Sequence, residues 1–340
     1  MRKRILKSIF FTKKPVHLIL YVTNKCNLRC KTCFVDFDRY IEAELTLEEI
    51  ERIALYLNEL IWLDIGGGEP FLRKDLPEIC EKFNTKLISI PTNGFDPTLI
   101  YETTKKIRSK TDAEVNIAVS LDGFEKTNDN IKAEGCFKKS IETLKLLKTI
   151  RGIWLKVNTV LCRRNYPEII DFMKFIRRFN IDFHSIILQR GPSGNPNYEC
   201  PPYEKLLKIK EDIFNIWNTY DCGFKTIESS ILKSYQRIMY ETSLKIIKDK
   251  KQIPSCVAGK YHLVIYPNGD LAPCEMLKPF GNIRKDNIES ILESKKAKEQ
   301  RRFIKNKNCY CYHNCNMLDN FLLNPLLYPK LLMGILRWTK

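Results

Sequence analysis

Cys26, Cys30 and Cys33 fall within one eight-residue run, Cys26-Asn27-Leu28-Arg29-Cys30-Lys31-Thr32-Cys33. Thiolates are soft ligands that suit zinc or iron–sulfur clusters. A closed zinc site takes a fourth ligand, usually from another Cys pair or a His pair, and the next cysteine along the chain is Cys80. Three thiolates on a four-iron cluster would instead leave one iron open to another ligand. The plain reading of the same run is three unpaired thiols in a loop, because short motifs do occur by chance.

A second group comprises Cys256, Cys274, Cys309, Cys311 and Cys315, with His313 between the last two. Residues 261–266 read as a strand, and Pro267-Asn268-Gly269-Asp270 reads as a hairpin turn that returns the chain to Cys274. The hairpin therefore brings Cys256 and Cys274 together. Paired thiols on a hairpin followed by a cysteine cluster also describe a zinc ribbon. His313 is a further donor, although an isolated histidine more often only hydrogen-bonds. Cys80, Cys136, Cys162, Cys200 and Cys222 are unpaired in sequence, the usual pattern of small buried hydrophobes.

The elements that must position these groups follow from periodicity. Short runs rich in Ile, Val, Leu and aromatics at 17–23, 61–65, 86–90, 115–120, 154–160 and 183–188 read as strands. Helical patterns lie between them at 47–60, 76–83, 98–109, 137–148 and 167–179. Thr46-Leu47-Glu48-Glu49 is a capping box opening the first, and Pro167 opens the last, where its missing N–H costs nothing. Such alternation predicts a parallel sheet with helices outside, six units curling into a partial (β/α)6 TIM-like barrel. The Cys26–Cys33 loop follows strand one, Gly66-Gly67-Gly68-Glu69-Pro70 strand two and Pro91-Thr92-Asn93-Gly94 strand three. Ser120-Leu121-Asp122-Gly123 ends strand four, Asn158 lies near the end of strand five, and Gln189-Arg190-Gly191 follows strand six. All fall at the C-terminal end of the barrel, where barrel enzymes place their active sites. Consecutive glycines let backbone approach a ligand closely, and Glu69 adds an acceptor. A glycine-rich strand-to-helix turn explains the same residues structurally, and Asn-Gly after a strand is first a turn signal.

The sequence divides into a basic segment 1–14, the barrel 15–190, a linker and helical segment 191–253, a small α+β cysteine-rich domain 254–318 and an apolar and basic tail 319–340. The run Gly191 to Pro202 is the strongest linker signal. Helical patterns follow at 203–220, 229–249 and 287–304. Thirteen cysteines in odd number do not form a disulfide framework. Residues 1–14 lack the apolar core and cleavage site of a signal peptide, so a cytoplasmic setting is expected. The net charge of +17 attracts anionic partners without specifying one. Both termini combine basic with apolar residues, which predicts peripheral contact with the inner membrane face. The competing expectation is that the tail packs on the barrel as core.

The Cys26–Cys33 spacing, with Gly66–Pro70 at the neighbouring strand end, resembles the radical SAM enzymes. The resemblance implies that Cys26, Cys30 and Cys33 hold a [4Fe–4S] cluster whose open iron S-adenosylmethionine (SAM) chelates. One-electron reduction then splits SAM into methionine and a 5′-deoxyadenosyl radical, which takes a hydrogen atom from a substrate. It also implies that Gly66, Gly67, Gly68, Glu69 and Pro70 hold the methionine ammonium of SAM. Asn93, Ser120, Asp122 and Asn158 are placed near its ribose or carboxylate. The residue before the third cysteine is often an aromatic that packs on adenine in that family; here it is Thr32, so that detail does not transfer, and Phe34 just after the motif is a candidate replacement. Gly269, five before Cys274, resembles the SPASM/twitch pattern of auxiliary-cluster domains. Five thiols there fit one auxiliary [4Fe–4S] cluster. Implied partners are SAM, an electron donor such as flavodoxin or ferredoxin, and a peptide or lipid-linked substrate, with no specific nucleic acid. Two rivals are a zinc-stapled basic nucleic-acid-binding protein and a non-catalytic electron-carrying subunit.

Overall fold

The computed structural model describes residues 14–35, 43–191, 193–223, 226–324 and 328–329. Residues 1–13 of the basic segment, and the tail beyond 324 apart from 328–329, lie outside them. Most of the residues expected to contact a membrane lie there too.

Six parallel strands build the core: β1 His17–Thr23, β2 Trp62–Gly67, β3 Leu87–Thr92, β4 Glu114–Ser120, β5 Ile153–Leu161 and β6 Phe183–Leu188, adjacent in chain order. The crossover helices are α1 Leu47–Tyr56, α2 Leu76–Lys82, α3 Pro97–Lys110, α4 Glu125–Ile131, α5 Cys136–Leu147 and α6 Ile169–Arg177. This is the partial TIM-like barrel that the alternation predicts. The expected capping box is present: Thr46 Oγ1 accepts from Glu49 N at 3.2 Å, and Glu49 Oε2 accepts from Thr46 N at 2.8 Å.

Successive strand residues face opposite sides of the sheet, and the two faces differ in chemistry. Leu18, Leu20, Leu63, Ile65, Ile88, Ile90, Ile117, Val119 and Val157 join the main hydrophobic core under the helices. Ile19 and Tyr21 face the lumen with Val264, Tyr266 and Ala272. By the same alternation His17, Asp64, Gly66, Ser120, Lys156 and Asn158 line the lumen.

Beyond the barrel lie α7 Tyr203–Lys208, α8 Lys210–Asn218 and α9 Thr226–Asp249. The single helix expected over 203–220 breaks at Ile209, whose ψ of 0° ends the first segment. The hairpin of β7 His262–Ile265 and β8 Asp270–Ala272 forms as expected, closed by Gly269 at φ +88°. Its placement was not legible. β7 pairs parallel to β1, His17 opposite His262, so β7, β8 and β9 Gly281–Asn282 continue the barrel sheet to nine strands. The helix expected over 287–304 divides into α10 Ile288–Glu293 and α11 Lys295–Lys305. Ser294 ends one and caps the other, accepting from Ala297 N at 3.1 Å. A final helix, α12 Asn314–Leu322, was not anticipated. Residues 319–321 and 323, placed in the tail by sequence, are buried in and just beyond it.

Candidate active site

Cys26, Cys30 and Cys33 sit on the loop leaving β1. Leu28 N donates to Cys26 Sγ at 3.4 Å, Cys33 N to Cys30 O at 3.0 Å, and Lys31 N to Ile131 O at 2.8 Å. Burial pushes all three thiols up, Cys30 to about 12, and charge on Cys33 acts on both Cys26 and Cys30. Lys132 opposes this at Cys30 and Cys33. A converging set of three soft donors, backed by a buried cation, suits an anionic iron–sulfur cluster rather than three neutral thiols.

β2 presses its glycine-rich end against that loop. A side chain on Gly68 would collide with Lys25 O and Cys26 Cβ, and Gly67 holds φ +140°. Gly68 N donates to Thr23 O at 3.0 Å and Glu69 N to Lys25 O at 2.8 Å. Pro70 then opens a short 3-10 turn, Pro70–Leu72. Glu69 is buried, and burial pushes its carboxyl up to about 7 against backbone donors. Its Oε1 accepts from Phe71 N at 3.3 Å and its Oε2 from Asn93 N at 2.7 Å. The Thr92 side chain also bonds to this carboxylate, which leaves it one of its four acceptor sites. Asn93 in turn donates from Nδ2 to Asn27 Oδ1 at 2.7 Å, joining the third strand end to the cysteine loop.

Ser120 and Asn158 are register partners on β4 and β5, and Asn158 Oδ1 is buried with no hydrogen-bond partner. An orphaned acceptor on the lumen wall fits a polar ligand, since buried polar groups are otherwise paired. Asp122 is placed differently. Its Oδ1 accepts from Val160 N at 2.7 Å and its Oδ2 pairs with Lys132 Nζ at 3.3 Å. Its carboxylate holds Lys132 toward the cysteines, a role that no local motif announced.

The opposite rim carries a second buried network that sequence reading missed. Arg190, after β6, pairs with Glu275 at 3.0 Å, and Glu275 also accepts from Tyr21 Oη. His313 Nδ1 lies 3.2 Å from Glu275, and burial pushes its imidazole down to about 3. The Arg190 guanidinium stacks 3.7 Å from the Phe34 ring centroid, while its Nη2 is buried without a partner. Phe34 is thus already engaged beside the cysteine loop. Glu275 follows Cys274, and His313 lies two residues beyond Cys311, so the network joins the two cysteine groups across the barrel mouth.

Four of the five C-terminal thiols come together. Cys256 feels charge on Cys311 and Cys309, Cys274 on Cys256 and Cys311, and Cys309 on Cys311. Burial raises each of them. Cys256, Cys274 and Cys309 also pack with Ala258 and Ile304. Four convergent thiols fit a cluster of the cysteine-ligated kind. Cys315 stands apart. Half-buried, it packs on the lumen cluster that includes Ile19 and Tyr21, and the groups acting on it are Asp64, Glu275, Arg190 and Asp319.

Two family models match the chain: the radical SAM superfamily over residues 20–176, and SPASM, an iron–sulfur cluster-binding domain, over residues 256–316. They imply a [4Fe–4S] cluster with SAM at the first site and auxiliary iron–sulfur chemistry at the second. The zinc-stapled nucleic-acid reading draws no support from them. The antilisterial bacteriocin subtilosin biosynthesis protein AlbA of Bacillus subtilis is 25% identical over 82% of this chain and 60% of its own. A probable GTP 3′,8-cyclase of Sulfolobus acidocaldarius is 30% identical over 64% of this chain and 72% of its own. Streptococcus suis SuiB, solved with precursor peptide SuiA, shares the fold at a TM-score of 0.62 and 19% identity, over 89% of this chain and 70% of that one. The chain spans 60% of AlbA's length.

Proposed function

Since the chain belongs to the radical SAM superfamily and carries a SPASM domain, we propose that this enzyme modifies a peptide at the barrel mouth. One observation carries the reading: the Cys26–Cys33 loop and the Glu69 turn meet at the strand ends, and the Arg190–Glu275 pair ties that rim to the segment that follows Cys274. AlbA and SuiB are a bacteriocin biosynthesis protein and a precursor-peptide-bound protein by name, which favours a peptide over a lipid-linked substrate here.

In this proposal Cys26, Cys30 and Cys33 hold the SAM-binding cluster, and Cys256, Cys274, Cys309 and Cys311 hold one auxiliary cluster. That cluster with SAM, once bound, would supply radical hydrogen-atom abstraction from the substrate, the electron coming from an external reductant. Gly66 to Gly68 give the ligand backbone contact, and the remaining lone pair of Glu69 takes its ammonium. Asn93 fixes the cysteine loop, and Asn158 and Ser120 offer polar contacts from the wall. Asp122 acts through Lys132. The unpaired Nη2 of Arg190 meets a substrate or ligand carboxylate. Flavodoxin or ferredoxin delivers the electron. The domain division follows the same logic, with the barrel to 190 and the cysteine-rich unit from 254.

Anaerobic reconstitution followed by SAM and dithionite tests the core of this. Parent protein should release 5′-deoxyadenosine, and Cys33→Ala should not. Equal release by both would overturn the cluster assignment.

A further inference from the structure

Beneath the lumen, at the N-terminal end of β1, lies a group of side chains that neither cluster uses. His17 opens β1, His262 opens β7 directly opposite in register, and Asp319 projects from α12. All three are buried. His17 Nδ1 and His262 Nδ1 each lie 2.8 Å from the same atom, Asp319 Oδ2, and 3.1 Å from each other. The three donor atoms form a nearly equilateral triangle. A tetrahedral zinc with ligands at about 2.0–2.1 Å has donor–donor edges of roughly 3.3 Å, so small outward shifts would seat the ion over this face.

We propose that His17, His262 and Asp319 form a buried structural site for a divalent cation, best suited to zinc, distinct from both iron–sulfur sites. Four features support it. Two ring N–H groups aimed at one oxygen crowd their protons, whereas two lone pairs and a carboxylate oxygen converge naturally on a cation. His17 Nε2 lies 3.1 Å from Asp64 Oδ2. A carboxylate on the far nitrogen is the usual outer partner of a metal-bound imidazole, fixing its tautomer. Asp319 Oδ1 is buried with no partner, so the carboxylate can engage a cation through both oxygens. Once a cation displaces the proton that Asp319 and Asp64 favour on His17, the two carboxylates leave two negative charges, which a dication neutralises in a place where unbalanced charge is costly.

The position gives the site a purpose and an entrance. It joins the first barrel strand, the first auxiliary strand and the last described helix, fastening the C-terminal unit beneath the barrel. The Asp64 side chain is 24% exposed toward the lumen, which offers the ion a way in. Cys315, one turn before Asp319 on α12, is close enough for Asp64 and Asp319 to act on its thiol. It or solvent completes the tetrahedron.

Zinc absorption spectroscopy on the full chain, with its clusters reconstituted anaerobically, tests this apart from activity. About one zinc per chain is expected, with a nitrogen and oxygen shell at about 2.0–2.1 Å and at most one sulfur at about 2.3 Å. Asp64→Asn should weaken zinc binding about 10–100-fold at unchanged iron content. Added zinc should raise the melting temperature of the parent and not of Asp319→Asn. A shell of two or more sulfurs would place zinc on the cysteines, and substoichiometric zinc would make the group a hydrogen-bonded latch. Either result overturns the proposal, and both are read on the parent protein if Asp319→Asn fails to fold.

Discussion

Glu69 is the residue whose two roles can be pulled apart. Its oxygens hold the Asn93 turn and the 3-10 turn through backbone N–H groups, and a bound ammonium would use the lone pair left over. Glu69→Gln should leave iron content intact and weaken SAM binding, since a hydrogen bond to a charged group contributes about 1.5–3 kcal/mol. Burial holds this carboxyl up to about 7, so it is protonated below that pH in the ligand-free protein. An ammonium binds the ionised form. Parent affinity for SAM should therefore fall about tenfold per pH unit below about 7, the slope of one linked proton, and level off above. Glu69→Gln should flatten that profile. Titrations between pH 6 and 8 that run parallel for both proteins would remove Glu69 from the ammonium contact. Among the cysteines, the parting of Cys315 from the other four makes a sharp contrast. Cys311→Ser should lose auxiliary iron, and Cys315→Ser should keep it. In a Cys26, Cys30 and Cys33 triple variant about four irons should remain. Equal loss of iron from both single variants would return Cys315 to the ligand set.

At the scale of elements, the barrel rim is held by charge drawn from distant parts of the chain. Arg190 leaves β6 and Glu275 leaves β8, and their ion pair is nearly dry, with side chains 8% and 7% exposed. Against burial, the Arg190 guanidinium and the Tyr21 hydroxyl hold the Glu275 carboxyl well below its usual range. Removing one member of such a pair strands the other and costs about 3–5 kcal/mol. Glu275→Gln should lower the melting temperature and loosen the auxiliary unit, seen as faster amide exchange in β8. Arg190→Met with Glu275→Leu should restore much of that stability while impairing substrate binding. If Glu275→Gln melts like the parent, the pair does not fasten the two units. The same elements show what a sequence discloses. The Thr46–Glu49 box, the order of the six strands and the Cys26–Cys33 loop rest on neighbours within a few residues, and periodicity reveals them. The parallel pairing of β7 with β1 joins residues about 245 apart. The Arg190–Glu275 pair spans 85. Neither leaves a local pattern, because a charged residue in a loop looks alike whether it meets water or a distant partner. Lys132 was missed for that reason, and so was the commitment of Asp122 to it. α12 escaped because its buried face includes Asn316, Asp319 and Asn320, polar residues that break the apolar period. Those same residues bind Cys311, the histidine pair and Val257 N.

For the molecule as a whole, the open question is what the charge of +17 attracts. No helix among the described residues is long and apolar enough to cross a membrane. The apolar and basic sequence after Pro325, if it met an anionic bilayer, would gain about 1 kcal/mol from each basic residue near the surface. A peptide entering the barrel mouth would use a different part of the same field. It would meet Arg190 and the rim, which do not depend on the tail. Truncation separates the two, and the fold fixes where to cut. Phe321 and Leu323 are buried, the latter packed with Val16 and Ile61, so a chain ending at Asn324 keeps α12 and one ending at Asn320 would not. The chain ending at Asn324 should retain 5′-deoxyadenosine release and should bind an acidic test peptide as the parent does. In both proteins that binding should weaken as salt rises past about 0.1 M, where the screening length falls to about 10 Å. Co-sedimentation with phosphatidylserine vesicles, if the parent shows it, should be lost on truncation. Peptide binding that disappears together with vesicle binding would tie substrate capture to the tail, and a lipid-linked substrate would then displace a free peptide as the better reading of the barrel mouth.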